Sequence, residues 1–418
     1  MTAAATPELG AAHRGSQHGP RSSARVPGPP YLLRWLLPCR LPAVLGWEAA
    51  ALAVLVGYQH RHDSYGQPSL IGLAVLAGLL VLMTSFRLAG LTGLERLLAG
   101  RAMRARLRRY AEDRATDTVQ RRLLAGLTLN THIDRAGNRT GVIGSGLSWS
   151  ATIKVADSAS PDPSALIAAA TRACLRTDLP LASAQVLSWN IPSGWGESRS
   201  ADGRSDSAPR TLRQYFLAVR TAPTPTSRAI RARGGGPSGA QRATASAAAA
   251  LAFELSRLGY PCTVLDSAEL EQHVQLMSGA SYSAQLVTAE RAPAPLETKD
   301  TWAIGQLQQS CFEVGGRTSQ AAALNWPAAA PLSFVVGSVT VRPGRRGQPK
   351  LSYLMRAAML NQQSPLTIEQ ASRALDRRLV PMRYRQERYL RATLPLALPI
   401  EPASLARRSA ETGQALAR

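Results

Sequence analysis

Apolar and polar positions divide the chain into two regimes. Leu41 to Tyr58 is apolar but for Glu48, and Ser69 to Phe86 carries no charge. A helix of roughly eighteen residues rises about 27 Å, close to a bilayer's hydrocarbon thickness. The second stretch also lacks the polar stripe of a surface helix. The pattern predicts a two-helix transmembrane hairpin over residues 41–90. Next, Met103, Leu107, Tyr110, Ala115, Val119 and Leu123 recur at helical spacing among arginines, which predicts a basic amphipathic juxtamembrane helix within 91–125.

From Gly126 the pattern mixes strands and helices, so 126–400 is read as one α/β or α+β domain. Val142 to Val155 is rich in β-formers, and Asp134 to Asn138 offers hairpin turn chemistry ahead of it. Asp162 and Pro163 supply an N-cap and a first-turn proline for a helix through Arg176. Ala184 to Asn190 and Arg213 to Arg220 read as strands, separated by a polar loop over Ser193 to Pro209. An alanine-rich helix from about Ser238 to Leu258 ends at Gly259, and a strand, Tyr260 to Leu265, leads to a helix capped by Asp266 or Ser267. A strand follows near Ile304 to Val314, then a hairpin of Leu332 to Val341 with Leu351 to Met355. A helix near Ile368 to Leu379 and a last apolar strand near Leu390 to Leu398 complete the domain.

Arginine placement orients the hairpin. The link Gln59 to Pro68 has one arginine, whereas Arg87, Arg96, Arg101, Arg104, Arg106, Arg108 and Arg109 follow the second span. The positive-inside bias predicts an inner-membrane protein with both termini and the main domain in the cytoplasm. Glu48 is costly in hydrocarbon. It sits either at the headgroup boundary or against a partner's transmembrane helix. Arg101, Arg104 and Arg108 are the candidate contacts to anionic lipid headgroups or to a neighbouring protein.

Net charge is +22, yet Lys154, Lys299 and Lys350 are the only lysines, so the basicity is almost all arginine. Such usage, with abundant alanine, glycine and proline, fits a high-GC genome and weakens charge alone as a sign of nucleic-acid binding. Few aromatics and no alternation of basic and aromatic residues weaken it further. Cys39, Cys174, Cys262 and Cys311 are scattered, which argues against structural zinc or a disulfide framework and fits a reducing compartment. His60, His62 and Asp63 in the short link are ordinary loop residues. Residues 1–40 and 401–418 read as disordered tails.

Arg231 to Leu270 reads RARGGGPSGAQRATASAAAALAFELSRLGYPCTVLDSAEL. It resembles the EccE component family of type VII (ESX) secretion machinery, found in actinobacteria. The likeness lies in Gly234 to Gly236, the long Ala/Arg helix, Gly259 with Tyr260, and Asp266, Glu269 and Leu270. The two early spans, the arginine-rich stalk and the closing ATLPLALP, Ala392 to Pro399, fit its layout. The resemblance implies a structural or regulatory subunit of an inner-membrane export complex. Its implied partners are EccB-, EccC- and EccD-like subunits, with EccC supplying the ATPase.

Enzymatic signatures are weak. Gly234, Gly236 and Gly239 satisfy GxGxxG, but Ser227 to Arg233 reads as helix, so the glycines predict a helix-to-helix junction rather than a dinucleotide loop. No Walker A lysine follows a glycine. His132 and His273 lie outside nucleophile-elbow and HExxH contexts. The sequence therefore predicts a non-enzyme without catalytic residues, metal or cofactor. The alternative is a membrane-anchored α/β enzyme of unknown substrate.

Overall fold

The computed structural model describes residues 41–59, 66–85, 87–88, 91–112, 127–157, 161–192, 211–280, 295–314, 321–327, 331–344, 347–360, 367–376 and 379–399. The tails and the loop Ser193 to Pro209 lie outside them. The chain divides into two units, residues 1–86 and 87–418.

In the first unit, helix α1 is Leu41–Gln59 and α2 is Gly66–Ser85. They pack through small residues, with Ala50 and Ala77 buried at the seam. Leu52, Val54, Leu55, Val56, Ile71, Val75, Leu76 and Leu79 all face outward. Counted over the described side chains alone, no helix is long and apolar enough to cross a membrane. Those side chains leave out 41–46 and 57 of α1, and 66–70, 80 and 82–85 of α2. The helical backbones run 19 and 20 residues, or about 28–30 Å.

The second unit begins with the short strands β1 (Arg87–Leu88) and β2 (Leu91–Thr92) and helix α3 (Gly93–Glu112). Its sheet starts with β3 (Leu127–Ile133), β4 (Arg139–Ser145) and β5 (Ser148–Val155). Helix α4 (Pro163–Leu175) is capped by Asp162, and β6 (Ser183–Pro192) and β7 (Thr211–Thr221) follow. Then come α5 (Pro223–Ala232), α6 (Gly236–Arg257), β8 (Cys262–Val264) and α7 (Ser267–Ser278). The remainder is β9 (Leu296–Glu297), β10 (Trp302–Ile304), β11 (Leu307–Val314), a 3-10 turn Ala322–Leu324, β12 (Leu332–Pro343), β13 (Pro349–Leu360), α8 (Ile368–Leu375), β14 (Leu379–Pro381) and α9 (Gln386–Ala392).

These strands form one 12-stranded sheet in the order β3-β4-β5-β7-β6-β12-β13-β11-β10-β9, with β8 beside β5 and β14 beside β11. Its ladders are antiparallel, so the fold is mixed α and β of the α+β kind.

Matching β3 through β8 to β9 through β14 makes the strand order read identically from either end, which reveals two related halves. The off-path strands agree, β8 on β5 and β14 on β11. The backbone agrees too, since Leu265 N donates to Thr152 O just as Met382 N donates to Cys311 O. The pseudo-twofold axis is normal to the sheet, between antiparallel β6 and β12, and it keeps corresponding helices on one face. Helices α4 and α6 cover the first half of one face with Leu166, Ile167, Ala243, Ala247 and Leu251. On the second half of that face α8 contributes Ile368 and Ala371. Both α7, with Leu270, Val274 and Met277, and α9, with Leu390, pack on the other face.

On that other face the sheet is unusually polar, and the chain's closing segment explains it. Residues 393–398, predicted as part of an apolar strand, follow α9 as turns and irregular backbone with no ladder to take up its carbonyls. Sheet side chains do so instead. Ser150 Oγ donates to Leu396 O at 2.7 Å, Ser183 Oγ to Ala397 O at 2.6 Å, and Thr152 Oγ1 to Pro395 O. Gln185 Nε2 donates to Ala392 O and its Oε1 accepts from Ala397 N, each at 2.8 Å.

Other departures are smaller. Val142 to Val155 is two strands with a turn at Gly146, the predicted strand near Ile304 to Val314 splits at Gly305, and the end of the predicted Ile368–Leu379 helix begins β14. Several glycines carry close contacts. A Cβ at Gly337 would lie 2.5 Å from Ala323 O, and one at Gly141 would lie 2.5 Å from Asp266 O.

Gly337→Ala is expected to destabilise the second unit by about 1–3 kcal/mol through overpacking against the 3-10 turn. A melting curve in detergent checks it. Gln185→Ala orphans two buried backbone groups and is expected to cost about 3 kcal/mol. Limited proteolysis should then cut within 393–398, where the parent resists.

Candidate functional site

The stalk helix α3 joins the body through a side chain that the basic pattern of the sequence conceals. Arg106 reaches Glu297 on β9, with Nε to Oε2 and Nη2 to Oε1 both at 3.0 Å. Nη2 also donates to Tyr384 O at 3.1 Å, and Nε lies 3.9 Å from Glu387 Oε2 on α9. The fork geometry of a guanidinium suits such bidentate pairing. Glu297 has 0% side-chain exposure while Arg106 keeps 33%, so the carboxylate depends on this cation more than the reverse. Burial pushes the Glu297 carboxyl above the usual glutamate range, opposed by Arg106 and by the Glu387 backbone N–H.

The body supports this clamp from behind. Glu387 N donates to Glu297 Oε1 at 3.4 Å, and Arg391 pairs with Glu387 at 2.9 Å. Tyr384 is held at φ 63°, one of two non-glycine residues with positive φ among those described; the other is Ala397 at 48°. Both strained residues offer backbone groups to side chains, Tyr384 O to Arg106 and Ala397 to Ser183 and Gln185. The strain persists because these partners hold it. The Tyr384 ring lies 5.8 Å from Lys299 Nζ.

Of the residues singled out by sequence, Arg101, Arg104 and Arg108 are exposed on α3 and Glu48 is exposed on α1. Met103 and Leu107 are half-buried, as the amphipathic pattern predicts, while the later part of that helix, residues 113–125, lies outside those described. By sequence Arg106 is one arginine among several on α3. The signal was present, because Ala99, Met103 and Arg106 share the inner face at spacings of four and three.

Gly234, Gly235 and Gly236 have φ values of 95°, 67° and 56° and link α5 to α6, so the glycine triplet is a helix-to-helix junction. His273 stacks edge-on against Phe216 at 5.1 Å, and burial depresses its pKa. Burial pushes the Cys174 thiol up to about 11 and that of Cys311 to about 12, so neither is a ready thiolate. Arg356 is fully buried, with Nη1 on Gln309 Oε1 and its guanidinium 5.4 Å from the Phe334 ring. Among the described residues no three of His, Cys, Asp and Glu come together as a metal set.

Residues 210–314, from β7 to β11, match the EccE family model, described as "Putative type VII ESX secretion system translocon, EccE". The matched stretch contains Arg231 to Leu270 and Glu297. No curated protein matches the chain.

Arg106→Met is expected to cost about 3 kcal/mol near neutral pH by stranding a buried carboxylate. The sign follows from Glu297. Its folded pKa exceeds the unfolded one, so its contribution to stability is complete below the unfolded value and is lost as pH rises through the folded value. Removing Arg106 raises the folded value further, so the penalty grows from acid to neutral pH. Adding Glu297→Gln should recover most of it, as melting curves across that range would show.

Proposed function

We propose that this EccE-like chain is a non-catalytic structural or regulatory subunit of a type VII secretion complex. In this reading α1 and α2 cross the inner membrane, and the body works in the cytoplasm by contact with EccB-, EccC- and EccD-like subunits. The family match over residues 210–314 carries the proposal.

Membrane insertion has separate physical support. In α1 and α2 the large apolar side chains point outward around the pair, with Leu52 at 60%, Ile71 at 64% and Leu76 at 60% exposure. Such a surface is unfavourable in water and suited to lipid tails. Helical backbone of about 28–30 Å matches the hydrocarbon thickness. The excess of arginine after α2 supports a cytoplasmic body. Glu48, exposed on α1, is the position in the hairpin where a partner helix or the headgroup layer is needed.

Purification from mild detergent is expected to bring down the ATPase and multi-span subunits with this chain. A chain that runs alone in every gentle detergent contradicts the assignment. Topology is read with engineered cysteines. His62→Cys should label from outside intact cells, and Asp178→Cys should not, although its side chain is 62% exposed in the folded body. Native Cys174 and Cys311 are poor reporters because both are buried.

A further inference from the structure

Helix α3 has two faces with different surroundings. Ala99, Gly100, Met103, Arg106 and Leu107 are buried or half-buried, whereas Leu97, Arg101, Arg104 and Arg108 are exposed. The exposed set is spaced by four, three and four residues, which is one continuous stripe along a helix. Among the described residues no carboxylate pairs with Arg101, Arg104 or Arg108. The Arg106 clamp on the opposite face fixes the rotation of α3, so the stripe is not free to turn inward.

We propose that this stripe is a docking surface for anionic lipid headgroups, oriented by the clamp. The inference rests on the reading of α1 and α2 as membrane-embedded, and it adds a second, electrostatic attachment. Charge complementarity favours lipid as the occupant, since guanidinium groups bind phosphate through paired N–H donors. The chain's path favours it as well. Helix α3 starts at Gly93 and α2 ends at Ser85, so at most about 28 Å of extended chain separates them. Leu97 and Leu98, at 43% and 55% exposure, add apolar side chains at the N-terminal end of the stripe. Each arginine close to an anionic leaflet favours docking by roughly fivefold, so three favour it by about a hundredfold.

The test uses the full chain in lipid nanodiscs, with Cys39 and Cys262 replaced by serine and an environment-sensitive dye on Ala105→Cys, an exposed site beside the three arginines. A second chain carries the dye on Met103→Cys, on the inner face. Adding phosphatidylglycerol to the discs is expected to blue-shift the dye at position 105 and leave that at 103 unchanged. Raised salt should reverse the shift. Changing Arg101, Arg104 and Arg108 together to glutamine should weaken docking by about a hundredfold while the melting temperature stays with the parent, because all three side chains are solvent-facing. The same emission with and without phosphatidylglycerol overturns the proposal, as does a shift that occurs only when an acidic partner protein is added. Alkaline carbonate extraction separates the two readings. Release of the chain from membranes defeats the embedded hairpin, whereas a retained chain without the lipid-dependent shift defeats the stripe alone.

Discussion

A carboxylate with no access to water fixes how the stalk meets the body. Glu297 cannot be left charged and unpaired at low cost, and Arg106 supplies the charge from an element 191 residues away in sequence. Once that pair forms, the inner and outer faces of α3 are decided together. Tyr384 and Glu387 extend the constraint into the loop before α9 and α9 itself. The stalk is therefore tied to the segment that leads directly into the closing strap.

The strap follows similar logic on the scale of a whole sheet. A segment of irregular backbone lies across strands, and the sheet face beneath it replaces apolar residues with Ser150, Thr152, Ser183 and Gln185 to satisfy its carbonyls and one N–H. The two halves of the sheet exchange these coverings. The end of α7, in the first half, is held by Gln309 of the second at 2.6 Å, while the segment after α9, in the second half, is held by the first. That exchange ties the halves together across the β6–β12 seam.

Much of this architecture was legible from local rules. Asp162 with Pro163, and Asp266 or Ser267, announced helix starts through capping chemistry, and the structure makes Asp266 the cap, paired with Glu269. Alternating β-formers located β6, β7, β12 and β13. The closing segment misled because Leu390, Leu394 and Leu396 alternate like a strand, although Pro395 denies a ladder its N–H and the leucines pack as helix and strap. The internal duplication was hidden by unequal decoration. Helix α4 has 13 residues where the second half has a 3-residue turn, and α6 has 22 where α8 has 8. Arg106 was obscured because helical periodicity distinguishes faces and says nothing of which face meets a buried acid.

Helix α3 and the body behave as one mechanical piece because Arg106 neutralises Glu297. Hydrogen–deuterium exchange of the α3 amides in the full-length protein, compared between the parent and Arg106→Met, tests this. Residues 99–107 are expected to exchange in the parent as slowly as strands β10 and β11, and the substitution is expected to accelerate them while β12 and β13 stay protected. Fast exchange throughout α3 in the parent, unchanged by the substitution, would show a stalk that is merely tethered.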